Sequence, residues 1–242
     1  MKVAILLLAA GRGTRLGAAV PKAFLPLGNL PLLLHSAARL VTAVPEECAF
    51  ELVVLVGPGD REQHLQPFVA PLQRLVRAPS DLHIVTGGET RQESMTNGLA
   101  ATSSDCDLVL IHDAARALVS VDATRACLQT AESVGAALLA IPATDTLKRV
   151  VNGRVQTTVD RSEIYYAQTP QIARRELLLE AAGLAEADGF EATDDVSLLE
   201  HFGSEVAVVP GSATNLKITH PDDLPLAAAL LAQNPTPPLP PS

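Results

Sequence analysis

Continuous apolar runs, not alternating ones, recur along this chain with helical stretches between them. Val3–Ala9, Glu51–Val56, Leu108–His112 and Ala136–Pro142 read as strands buried on both faces. Pro31–Val44, Arg61–Leu72, Thr90–Ser103 and Val121–Gly135 carry the helical spacing between them. Such alternation predicts an α/β fold with a mainly parallel sheet and helices on both sides, three layers in all. Ligands of these folds sit beyond the carboxyl ends of the strands, so the loops after each strand are where chemistry is expected.

The segment Thr146–Val159 interrupts the winding. Asn152-Gly153 stands between two β-branched runs, the strongest short hairpin signal, because a type I′ turn needs positive φ at both central residues. Pattern alone leaves two readings open: an edge hairpin on the sheet, or an excursion towards another subunit. After it, Arg174–Glu186 reads as a helix, and so does Asp194–Phe202 with Thr193 as its N-cap. Val206–Val209 reads as a strand, and Pro221 opens a last helix running to about Gln233. The tail Asn234–Ser242 has five prolines in nine residues and is expected to be disordered and extended. The expected organisation is one domain over 1–233 with a β-arm at about 144–162, then the tail.

Composition narrows the partners. The chain has 242 residues, 48% hydrophobic and 19% charged, enough apolar material for one large core. Its 18 basic and 27 acidic residues leave a net charge of −9, which argues against a nucleic-acid-coating surface. Aromatics at 3% with no Trp argue against stacking platforms for single strands. A local cationic cleft stays compatible with that total. Only four of the basic residues are lysines: Lys2, Lys22, Lys148 and Lys217. Either composition bias left them by chance, or a compact ammonium is kept where it is needed. Cys48, Cys106 and Cys127 show neither CxxC nor zinc-ribbon spacing and read as buried thiols of a reducing, cytoplasmic compartment. The apolar N-terminus leads into Gly11-Arg12-Gly13 without a cleavage signal and reads as a first strand, and no apolar run reaches membrane-spanning length, about 18 residues.

Three loops carry the candidate chemistry. The first strand runs into Ala9-Ala10-Gly11-Arg12-Gly13-Thr14-Arg15, whose glycines let backbone N–H groups approach a phosphate. No Walker lysine follows, and the loop continues past Pro21-Lys22 instead of opening a helix. With Arg12, Arg15 and Lys22 it suits a nucleoside triphosphate better than a dinucleotide; the plain alternative is a turn with solvated arginines. Asp113, at the end of Leu108–His112, is placed to hold Mg²⁺ or a sugar hydroxyl, or simply to cap a turn. His112 reads as a packed strand-end residue. Gly87-Gly88-Glu89-Thr90 precedes a helix for which Thr90 is a candidate N-cap. Lys217, in an apolar stretch, needs a paired anion if it is buried. Asp160-Arg161, Gln168-Thr169-Pro170-Gln171 and Thr193-Asp194-Asp195 are polar islands that read as an ion pair, a turn and a cap when taken singly.

Together these motifs resemble one family. Ala-Ala-Gly-x-Gly-x-Arg with Pro21-Lys22 is similar to the signature loop of sugar-phosphate nucleotidyltransferases. Gly87-Gly88…Arg91…Ser94, His112-Asp113-Ala114-Ala115-Arg116, Asp145-Thr146, Val159-Asp160-Arg161, Gln168–Gln171, Thr193-Asp194 and Asn215-x-Lys217-Ile218-Thr219 resemble the 2-C-methyl-D-erythritol 4-phosphate cytidylyltransferase family, over residues 3 to about 231. Ala117 stands where that family usually has Pro. The resemblance implies a Rossmann-like fold with a protruding β-hairpin arm. It implies CMP transfer from CTP to the polyol phosphate with Mg²⁺ or another divalent cation, in a homodimer whose arm carries Thr146 and Arg161 to the partner's substrate. It implies catalytic roles for Arg15, Lys22, Arg161 and Lys217. Nucleotide contacts would come from Ala9, Ala10, Gly11, Gly13, Gly88, Glu89, Ser94 and Asp113. Substrate contacts would come from Asp113, Thr146, Arg161, Thr169 and Lys217, and metal binding from Asp113. A cytidylyltransferase for another polyol phosphate, such as ribitol 5-phosphate, and a non-catalytic nucleotide-binding module are the rival readings.

Overall fold

Seven strands organise the molecule, a computed structural model that describes residues 1–11 and 20–241. They are β1 (Lys2–Ala9), β4 (Ala49–Val56), β5 (Leu82–Thr86), β6 (Leu108–Asp113), β7 (Ala136–Pro142), β10 (Tyr165–Arg174) and β11 (Ala207–Pro210). They form one sheet in the order β11-β7-β10-β6-β1-β4-β5. β1 pairs in parallel with both β4 and β6, β4 with β5, and β7 with β11. The sheet is thus Rossmann-like and mainly parallel, as the continuous apolar runs predict.

The helices are α1 (Leu32–Ala43), α2 (Val69–Leu75), α3 (Arg91–Ala100), α4 (Val121–Val134), α5 (Arg175–Asp188), α6 (Asp195–His201) and α7 (Asp223–Gln233). Strand alternation divides the core in two. Val3, Ile5 and Leu7 of β1 pack with side chains of α1, α2 and α4. Ala4 and Leu6 pack with those of α3, α5 and α6. This is why the runs show no polar alternation: each face of each central strand meets a helix layer.

Several expectations need correction. The Arg61–Leu72 helix is broken into a wide turn over Arg61–Leu65, a tight turn over Gln66–Phe68, and then α2. Pro67 has no N–H to give a helical ladder, whereas Pro71 falls in the first turn of α2, where none is needed. The cap of α6 is Asp194, not Thr193: its carboxylate accepts from the Ser197 N–H at 3.0 Å. Gln168–Gln171 is no turn but part of β10, which runs antiparallel between β6 and β7. Its register shifts between Ala167 and Gln171, so the polar residues sit in an irregularity of the strand. The Pro-rich tail, expected to be disordered, lies against α1. Arg39 Nη2 donates to the Asn234 carbonyl, Thr236 Oγ1 meets His35 Nδ1 at 2.5 Å, and Leu239 packs on the core. Buried polar groups on α1 supply partners that composition could not reveal.

The arm consists of β8 (Leu147–Val151) and β9 (Arg154–Val159), paired with each other in a separate two-stranded sheet. Asn152 and Gly153 have φ of 49° and 74°, as the type I′ turn requires. Val150, Val151 and Val155 are all exposed on it. A small hairpin, β2 (Pro26–Leu27) with β3 (Leu30–Pro31), connects the Lys22 segment to α1.

Candidate active site

At the carboxyl ends of β1, β5 and β6 a cleft opens, lined by Ala9, Ala10 and Gly11 from one side and Gly88, Glu89 and Ser94 from another. Lys22, Arg91, Asp113 and Lys217 bring further charged side chains. The strand order changes direction about β1, whose neighbours β4 and β6 precede and follow the β5 crossover. This is where doubly wound folds bind ligands. Lys22 stands at the start of a tight turn over Lys22–Phe24, whose Ala23 and Phe24 are buried and so fix the lysine's place on the rim. Arg12, Gly13 and Arg15 lie outside the described residues.

The two glycines after β5 allow the loops to converge. A Cβ on Gly87 would stand 2.5 Å from Ala10 Cβ and 2.8 Å from Ser94 Oγ. One on Gly88 would strike Glu93 Cβ. Ser94 Oγ donates to the Thr90 carbonyl and accepts from the Gly88 N–H at 3.1 Å. Thr90 caps α3 as its sequence implied: its hydroxyl accepts from the Glu93 N–H, and the Glu93 carboxylate accepts from the Glu89 and Thr90 N–H groups.

Asp113 is the electrostatic centre. Lys217 Nζ lies 2.7 Å from its Oδ2 and Arg91 Nε 3.4 Å from its Oδ1. Burial alone would raise this carboxyl, but the Arg91 and Lys217 charges overturn burial and hold it well below the usual range. Lys217 is exposed, and the anion it pairs with is Asp113, the last residue of β6. The segment that carries Lys217 is tied down by the Ile218 N–H on the Ala115 carbonyl, by Arg116 Nη1 on the Asn215 carbonyl, and by Asn215 Nδ2 on the Thr169 carbonyl.

Thr169, expected at the substrate phosphate, is instead buried beneath Asp113. Its hydroxyl accepts from the Asp113 N–H at 3.2 Å and meets His112 Nδ1 at 2.9 Å. His112 Nε2 faces the Arg116 carbonyl, so Nε2 carries the proton and Nδ1 accepts. Burial pushes its pKa down to about 4, and the ring is neutral at neutral pH. It is a packed strand-end histidine.

Thr146 and Arg161 do not reach this cleft. Both are exposed on and beside the arm, where Arg161 Nη1 donates to the Thr144 carbonyl. Sequence reasoning assigned no role to Arg91. It forks onto Asp195 at 2.7 and 2.6 Å while its Nε turns to Asp113. Arg91 stood in the Gly87-Gly88…Arg91…Ser94 motif and Asp195 in the Thr193-Asp194-Asp195 run read as a cap, but nothing local joined the two. Among the described residues no three His, Cys, Asp or Glu side chains gather as a metal site. One cleft carboxylate nevertheless fits Mg²⁺ shared with a triphosphate, since this ion takes one or two carboxylates and fills its shell with phosphate oxygens and water.

A glycine-lined cleft at the switch point of a parallel sheet, with cations on both sides of one carboxylate, defines a Rossmann-like nucleotidyltransferase. The family model described as IspD, 2-C-methyl-D-erythritol 4-phosphate cytidylyltransferase, matches residues 3–233. Among curated proteins of that name, the one from Acidobacterium capsulatum is 41% identical, over 96% of this chain and 98% of its own. That from Solibacter usitatus is 39% identical, over 96% and 97%. The crystal structure of the Thermus thermophilus protein of this name superposes with a TM-score of 0.76 at 36% identity, covering 96% of this chain and all of that one. This chain belongs to the 2-C-methyl-D-erythritol 4-phosphate cytidylyltransferase family.

Proposed function

We propose that the chain transfers CMP from CTP to 2-C-methyl-D-erythritol 4-phosphate, releasing pyrophosphate and CDP-methylerythritol, in the non-mevalonate route to isoprenoid precursors. The observation that carries the reading is the Asp113–Lys217 pair in a glycine-lined cleft whose rim holds Lys22. The nucleophile is a phosphate monoester oxygen, already mostly ionised at pH 7, so no general base is needed. Two polyanions must instead be held together in line. Catalysis is then charge neutralisation and positioning.

In this reading Lys22, with Arg15, neutralises the triphosphate and the charge developing at the α-phosphorus. Lys217 lies between the α-phosphate and the attacking phosphate, leaving Asp113 to take sugar hydroxyls. Asp113 is the residue that would hold Mg²⁺, and the ion would supply positive charge to the triphosphate. The Ala9–Gly11 backbone and the Gly88–Ser94 segment take the cytosine. Thr169 acts from beneath by fixing the Asp113 backbone. Residues 1–233 form the nucleotidyltransferase unit.

Thr146 and Arg161 bind the substrate phosphate in the cleft of a second copy. Support comes from the exposed valines of the arm and from the absence of both residues from the lining of their own cleft. A cytoplasmic location is the consistent setting; among the described residues no helix is long and apolar enough to cross a membrane. The test is pyrophosphate release by the purified protein with Mg²⁺, each of the four ribonucleoside triphosphates, and a panel of polyol phosphates. Release with CTP and methylerythritol phosphate is expected. Faster release with ribitol 5-phosphate, or none with any pair, would replace this reading with its rivals.

A further inference from the structure

Asp195 is buried and takes no part in the cleft wall, yet it makes the best-formed ion pair among the described residues. Arg91 Nη1 and Nη2 donate to its two carboxylate oxygens at 2.7 and 2.6 Å. A guanidinium so forked keeps three N–H groups, one on each Nη and one on Nε. The Nε group faces Asp113 Oδ1 at 3.4 Å, while Lys217 holds Oδ2 at 2.7 Å. Asp195 is itself fixed: it is the first residue of α6, and its N–H and that of Val196 both donate to Gln171 Oε1, at 2.8 and 3.0 Å. Gln171 belongs to β10 and faces Ile111 of β6, two residues before Asp113. A closed circuit therefore runs from the irregular strand β10, through the start of α6, to Arg91, and back to the end of β6.

From this circuit we infer that Asp195, acting through Arg91, is a positioning residue for the reaction. The fork locks the guanidinium, the locked Nε holds Asp113 Oδ1, and Asp113 is thereby kept from turning wholly onto Lys217. Lys217 stays available to phosphate. Lysine in place of Arg91 would keep the charge but lose the planar fork. The inference rests on the proposed cytidylyl transfer at this cleft.

The experiment is a double-mutant cycle on pyrophosphate release from CTP and methylerythritol phosphate. Asp195→Asn keeps the side-chain shape and removes one acceptor of the fork. We expect its kcat to fall about tenfold, with both KM values within about threefold, because an interaction that matters at the transition state lowers kcat. In an Asp113→Asn background the same change should cost less than about twofold, since its route of action is already cut. Equal factors in the two backgrounds, an unchanged kcat, or a rise in KM alone would overturn the inference. If melting shows that Asp195→Asn does not fold, Arg91→Lys is measured in the same two backgrounds and judged by the same outcomes. Wild-type turnover separates the two claims: absence of release in the parent protein defeats the functional reading, whereas release without coupling defeats only this one.

Discussion

At the scale of single residues, charge placement outweighs charge total. The chain is acidic overall, yet two of its four lysines line one cleft. Lys217 and Lys22 were legible in the sequence because lysine is rare here and both lie in loops at strand ends. Arg91 was legible as part of the Gly87-Gly88…Arg91…Ser94 motif, but its partner was not, because nothing in that run points to Asp195. Asp195 lies 104 residues away along the chain. Lys22→Ala is expected to lower kcat by about two orders of magnitude, the range seen when a preorganised charge donor is removed. Steady-state pyrophosphate release checks this, and near-normal turnover would remove Lys22 from the charge clamp.

At the scale of elements, strands buried on both faces announced themselves and the reversed one did not. β10 holds Tyr165, Gln168, Thr169, Pro170 and Gln171, a composition that reads as a loop. It is a strand because β6 and β7 flank it and leave backbone groups that need a ladder, and its irregular middle delivers Thr169 and Gln171 beneath the site. The tail behaves similarly. His35 Nε2 donates to the Leu27 carbonyl at 2.7 Å, so Nδ1 accepts from Thr236, and the tail is held by a neutral imidazole. Burial, and then the Arg39 charge, lower the His35 pKa below its ordinary 6.5, while the Leu27 carbonyl opposes them. A depressed pKa means that the unfolded chain binds the proton more readily. Stability from this group is therefore complete above 6.5 and lost as pH falls below it. We expect the melting temperature to drop between pH 7.5 and 5.5, and the drop to shrink in His35→Gln, by thermal unfolding at both pH values. A drop of equal size in the variant would show that His35 is not its source.

At the scale of the whole molecule, the proposed function divides the substrate site between the cleft at one end of the sheet and the arm of a second copy. Mixing a Lys22→Ala subunit with an Arg161→Ala subunit should restore activity that neither homogeneous protein has. In a mixed dimer one site receives both an intact cleft and an intact arm. Up to about half of the wild-type rate per mixed dimer is expected in the same assay, and no recovery from mixed dimers confirmed by their mass would place Arg161 elsewhere. The sequence by itself determined the layers, because apolar periodicity reports which faces are buried, and the arm's turn, because Asn-Gly supplies positive φ locally. It also determined which loops carry glycine and cation, since those motifs are contiguous. Only the tertiary structure decided that β10 is reversed, that the tail lies on α1, that Thr169 is buried against the Asp113 backbone, and that Asp195 reaches Asp113 through Arg91. Each of these depends on hydrogen bonds or ion pairs between residues far apart in the chain, and such partners leave no local periodicity to read.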